Sequence, residues 1–104
     1  MNIQKMMKEA QKMQERLAKA QNDLSGQSLE VSAGGGKVTV TANGSGDITG
    51  VKISPDVVDP DDVEMLEDLV LSGIREAQEA ARKLQADTMG KVTGGLGGMP
   101  GLGI

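Results

Sequence analysis

Apolar residues recur at alternating steps of three and four along the first part of the chain: Ile3, Met6, Ala10, Met13, Leu17, Ala20 and Leu24. With no Gly or Pro between positions 3 and 24, this spacing predicts one helix carrying a heptad seam, widened by Met7 and stopped by Ser25-Gly26. Such a seam suits a second helix, and equally a sheet of the same chain. The period then falls to two. Leu29, Val31 and Ala33 alternate with Glu30 and Ser32, Gly34-Gly35-Gly36 turns the chain, and Val38, Val40 and Ala42 alternate with Lys37, Thr39 and Thr41. This reads as a β-hairpin. Asn43-Gly44-Ser45-Gly46 makes a second turn into a third strand from Asp47 to Ser54, closed by Pro55. Within it Ile48 is even whereas Val51 and Ile53 are odd, so one extra residue, a bulge, is predicted near Thr49-Gly50.

Asp59-Pro60-Asp61-Asp62 combines a capping side chain, a proline at the first helical position and acids at the positive end of a helix dipole. A second helix is therefore predicted from there to about Thr88, with Leu66, Leu69, Val70, Gly73, Ala77, Ala80, Ala81 and Leu84 on its inner face. The small residues Gly73, Ala77 and Ala81, four apart, predict close approach of another backbone. After Met89 the chain becomes Gly-, Met- and Pro-rich, which predicts a flexible tail over 90–104. The order defines an α+β domain over residues 1–89: α-β-β-β-α, a small antiparallel sheet flanked by two long helices.

Composition restricts both core and chemistry. The 104 residues contain no Phe, Tyr, Trp, Cys or His. A core built from Leu, Val, Ile, Met and Ala alone is small, and two long amphipathic helices have difficulty covering their stripes within one chain, so a two-fold symmetric homodimer is expected. Thiol nucleophiles, thiolate metal sites and imidazole acid-base chemistry are excluded. The start is polar and basic with no apolar run behind it, so neither a signal peptide nor a membrane span is read, and the cytoplasm is expected. Gly36-Lys37 is followed by a strand rather than by Ser or Thr and a helix, and Gly44, Gly46 and Gly50 miss dinucleotide-loop spacing. The acids between 56 and 68 lack the calcium-loop pattern and read as helix capping with a solvated face. These patterns give no reason to expect an enzyme, a small-molecule substrate, a metal or a cofactor.

The formal charge of −4 argues at first against a polyanionic partner. Its distribution reverses the argument. Asp56, Asp59, Asp61, Asp62, Glu64, Glu67 and Asp68 place seven negative charges in one segment without a cation, so the remainder of the chain is net +3. On the first helix Lys5, Lys8, Lys12, Arg16 and Lys19 fall within an arc of roughly 80°, opposite the apolar seam. Glu9 and Glu15 lie at its margins. A stripe of this kind is either a solvated helix face with i,i+4 pairs or a surface that tracks phosphates and releases their counterions. Arg75 and Arg82, seven residues apart on the outer face of the second helix, with Lys83 and Lys91 nearby, extend the second possibility. Without aromatic stacking platforms, a nucleic-acid partner would be duplex DNA contacted through its backbone rather than single strands or looped RNA.

The first helix (Met6-Met7-Lys8-Glu9-Ala10-Gln11-Lys12-Met13-Gln14-Glu15), the Lys37-Val38-Thr39-Val40 strand, the Val51-Lys52-Ile53-Ser54-Pro55 strand end and Glu64-Met65-Leu66-Glu67-Asp68-Leu69-Val70 together resemble the YbaB/EbfC nucleoid-associated proteins over about residues 3–90. The Gly/Met/Pro-rich end is similar as well. The resemblance implies a homodimer whose paired helices project like tweezers, which binds double-stranded DNA, alters its conformation and influences nucleoid organisation and gene expression. It implies no cofactor. A different reading of the same residues is a helical adaptor that binds other proteins through the heptad face and apolar tail.

Overall fold

A computed structural model describes residues 2–94. Helix α1 (Ile3–Ser25) leads into strands β1 (Ser28–Ala33), β2 (Val38–Asn43) and β3 (Ile48–Ile53), a 3-10 turn at Pro55–Val57, and helix α2 (Val63–Gly94). The strands form an antiparallel sheet in the order β1-β2-β3. Period-two alternation places Leu29, Val31 and Ala33 on the same face as Val38, Val40 and Ala42, with Val31 opposite Val40 and Val40 opposite Val51. The predicted bulge is present: Thr41 pairs with Gly50 and Ala42 with Ile48, so Thr49 is the extra residue that returns Ile48 to the inner face.

Helix α2 lies across that face. Val38, Val40, Ala42, Val57 and Ala77 form the centre of the core, with Val31, Leu66, Leu69, Val70 and Ile74 packed around them. The small side chains of α2 permit this approach. Ala77 and Ala81 are fully buried, and a Cβ built on Gly73 would stand 2.8 Å from Val40 Cγ2. What comes close to Gly73 is the side chain of Val40 on the sheet, rather than another backbone. A mid-helix glycine costs about 1 kcal/mol relative to alanine, and close helix-sheet packing offsets it here.

Both helix ends differ from the sequence reading for local reasons. Asp59 accepts a hydrogen bond from the Asp61 N–H at 2.9 Å within a turn, and Asp62 accepts from the Met65 N–H at 3.2 Å, so the helix begins at Val63 rather than at Pro60. At the other end α2 continues through Gly90 to Gly94, and there α1 runs antiparallel alongside it, with Thr88, Lys91 and Val92 facing it across an open cleft. The expected flexible tail therefore loses 90–94 to the helix, and 95–104 lie outside the described residues.

The end of α1 is pinned to the second turn. Gly44 N–H donates to Leu24 O at 2.8 Å and to Gln27 O at 3.1 Å, and Gln85 Nε2 donates to Gly44 O at 2.9 Å. A Cβ on Gly44 would collide with Leu24 O. This glycine is required by the crossing of α1 over the turn, as well as by the turn itself.

Candidate nucleic-acid interface

Asn2 opens α1 by accepting a hydrogen bond from the Lys5 N–H at 3.2 Å. From Ile3 to Lys12 every residue is exposed, Ile3 by 67% and Met7 by 61%, whereas Ala20 and Leu24 are buried. The helix is thus anchored by its last two turns, and its first half stands clear of the other described residues. The heptad seam divides in the same way, with its C-terminal part against α2 and its N-terminal part bare.

Lys5, Lys8, Lys12, Arg16 and Lys19 all lie on exposed positions of this helix. They extend over about 21 Å along its axis. The described residues contain two ion pairs, Lys37 with Asp56 at 2.7 Å and Arg82 with Glu79 at 3.5 Å, so none of the five stripe cations is neutralised by a carboxylate. Their charge is available to a polyanion. Where α1 and α2 converge, Arg16, Lys19, Ala20 and Asp23 face Thr88, Lys91 and Val92 across an open cleft of about 430 Å³. Lys91 is the α2 cation that the structure brings beside the stripe.

The other α2 cations are placed differently. Arg75, Arg82 and Lys83 are exposed, and Arg82 is held by Glu79 in an exposed pair, a type of contact worth about 0–1 kcal/mol. Arg75 lies about 24 Å along the helix from Lys91. Only the antiparallel α1–α2 contact singles out Lys91, and no local sequence signal marks that contact. The acidic segment sits beyond the sheet, at the opposite end of α2. Asp56 fastens the 3-10 turn to Lys37, while Asp59 closes a turn and Asp62 caps α2. Among the described residues no group of three or more acidic side chains is arranged to hold a metal ion, and no helix is long and apolar enough to cross a membrane.

The fold thus presents an exposed cationic helix beside a helix-covered antiparallel sheet. Residues 1–96 match the YbaB/EbfC DNA-binding family, and the chain belongs to that family. It is 52% identical over 101 residues to a nucleoid-associated protein of Ruminiclostridium cellulolyticum, covering 97% of this chain and 88% of the relative. It is 50% identical over 102 residues to a nucleoid-associated protein of Saccharopolyspora erythraea, covering 98% and 88%. Among solved structures, an uncharacterized protein, HP0035 from Helicobacter pylori, shares the fold with a TM-score of 0.75 at 17% identity, covering 84% of this chain and 91% of that one. The family is defined by DNA binding.

Proposed function

We propose that the protein acts as a cytoplasmic, nucleoid-associated homodimer that binds double-stranded DNA with little sequence selectivity and alters its conformation. Nucleoid organisation, DNA protection and gene regulation follow from that activity. The observation that carries this reading is the stripe of Lys5, Lys8, Lys12, Arg16 and Lys19, exposed along one helix without a carboxylate partner. Phosphates are spaced regularly whatever the sequence, so a line of long cationic side chains gives affinity without base readout. Lys91 adds a sixth cation beside Arg16 and Lys19. Arg82 and Lys83 lie farther out on α2 and would be reached only by DNA that also passes over that helix. Arg75 lies farther along α2 still, about 24 Å from Lys91 along the helix axis.

Two unrelated duplexes of equal length should bind with dissociation constants within about threefold of each other, and a single strand of that length more weakly, since no aromatic side chain is present for stacking. Fluorescence anisotropy on the three oligonucleotides measures this. Strong preference for one duplex, or tighter single-strand binding, would overturn it. The bare N-terminal seam with Ile3, Met6 and Met7 favours the adaptor as a second reading; absence of duplex binding at low salt would decide for it.

A further inference from the structure

Helix α1 offers α2 one apolar seam, and α2 covers only part of it. Gln21 and Leu24 meet Gln85 and Met89 around one hollow, and farther along Arg16 and Ala20 face Thr88 and Val92, so α2 climbs toward the start of α1 as its own numbers rise. Burial follows that path. Leu24 and Ala20 are buried, Leu17 and Met13 half-buried, and Ala10, Met7, Met6 and Ile3 exposed. The cover thus gives out near the described end of α2 at Gly94, whereas the seam runs on from Met13 to Ile3, a further stretch of about 15 Å. Single exposed apolar residues are ordinary, but Ile3, Met6, Met7 and Ala10 stand at steps of three and four and form one continuous strip.

We propose that residues 95–104 of the same chain dock along this strip. The segment leaves α2 where the cover stops, with Val92 beside Arg16, and in the direction α2 already follows. Its length suffices, because its residues reach about 33 Å when extended against the 15 Å or so that the strip needs. Its chemistry fits as well. Leu96, Met99, Leu102 and Ile104 are apolar, and no residue of the segment is charged. The glycines between them carry no Cβ and let the backbone lie close to the helix. On the other side of the contact, Met6 and Met7 are long and unbranched, and methionines of this kind adapt to a partner without a fixed shape. Attachment to α2 makes the contact intramolecular, so a weak intrinsic affinity is enough, and a foreign protein would have to displace a segment already tethered beside the strip. Docking there is independent of the DNA reading: the cationic stripe lies on the opposite side of α1, and Lys5, Lys8 and Lys12 stay exposed beneath no part of the segment.

The test is paramagnetic broadening read by nuclear magnetic resonance on the full chain. The sequence contains no Cys, so Gly103→Cys takes a nitroxide label at a single position and keeps all the apolar residues of the segment. Isotope-enriched, spin-labelled chain is diluted into an excess of plain protein, so that each amide reports the label of its own chain. The backbone amides of residues 3–10 should lose intensity by about threefold or more relative to the reduced label, as the high effective concentration of a tethered segment requires. Adding Met6→Asp with Met7→Asp should return those intensities to the reduced-label level with unchanged helical circular dichroism, because both side chains are exposed. Gln11→Asp, which adds the same charge away from the strip, should leave the broadening in place. Broadening that is absent from residues 3–10, or that survives the paired Asp variant, would overturn the proposal. So would broadening of the strip seen only in the converse mixture, with label on one copy and isotope on another, since the occupant would then be a second copy's segment.

Discussion

Replacing Lys12 and Arg16 together by Glu should weaken duplex binding by on the order of 100-fold at about 0.1 M salt, measured by anisotropy with a fixed duplex. Each phosphate neutralised by a cation contributes about 1 kcal/mol through counterion release at that salt, and reversal also introduces repulsion. Lys12 and Arg16 occupy the middle of the stripe, so a duplex engaging any long portion of it meets one of them. Neither residue is buried or ion-paired among the described residues. The thermal midpoint of the variant should therefore remain near that of the native protein, and unchanged DNA affinity would remove the stripe from the mechanism.

Gly73→Leu should be the most disruptive single change to the fold. The virtual Cβ at 2.8 Å from Val40 Cγ2 already requires that side chain to shift, and three further carbons would enter the tightest part of the helix-sheet contact. A cost of about 2–3 kcal/mol is expected, equivalent to a fall of about 10–20 °C in the thermal midpoint for a domain of this size. Gly73→Ala should cost less than the leucine, since only Val40 has to shift and alanine gains about 1 kcal/mol of helix propensity against that cost. Circular dichroism melts of the two variants measure the difference. A Leu variant as stable as the native protein would show that α2 does not pack on the sheet at Gly73.

The parts of this structure that depend on local pattern were readable from the chain. Period two gave the three strands, and the parity slip between Ile48 and Val51 located the bulge at Thr49 before any pairing was known. Gly73, Ala77 and Ala81 marked the close contact, although spacing alone does not say that its other side is a sheet. Where the sequence offered two local solutions, tertiary context chose. Asp59 and Asp62 are both good caps three residues apart, and the chain uses the first for a turn and the second for α2. Gly90 and Gly94 disfavour a helix by propensity, yet α2 extends through them beside α1.

The placement of the candidate cations was legible to the same extent. A helical wheel brings Lys5, Lys8, Lys12, Arg16 and Lys19 to one side because their alignment is a property of a single helix. Lys91 joins Arg16 and Lys19 only because α1 folds back along α2, a relation between segments about 70 residues apart in the chain. The heptad seam likewise runs evenly through the sequence and says nothing about which half packs. Its division at Met13, with exposed residues before it and buried Ala20 and Leu24 after it, depends on which turns of α1 meet α2 and the second turn of the sheet.

The account stands most directly on the salt dependence of binding to a duplex of arbitrary sequence. If about five of the ten stripe cations in a dimer neutralise phosphates, the logarithm of the association constant should fall with the logarithm of salt concentration at a slope of about −4 to −5. A titration series between about 50 and 200 mM salt would then lose several hundredfold in affinity. Binding that is independent of salt, or absent at the lowest salt, would contradict a function built on this helix.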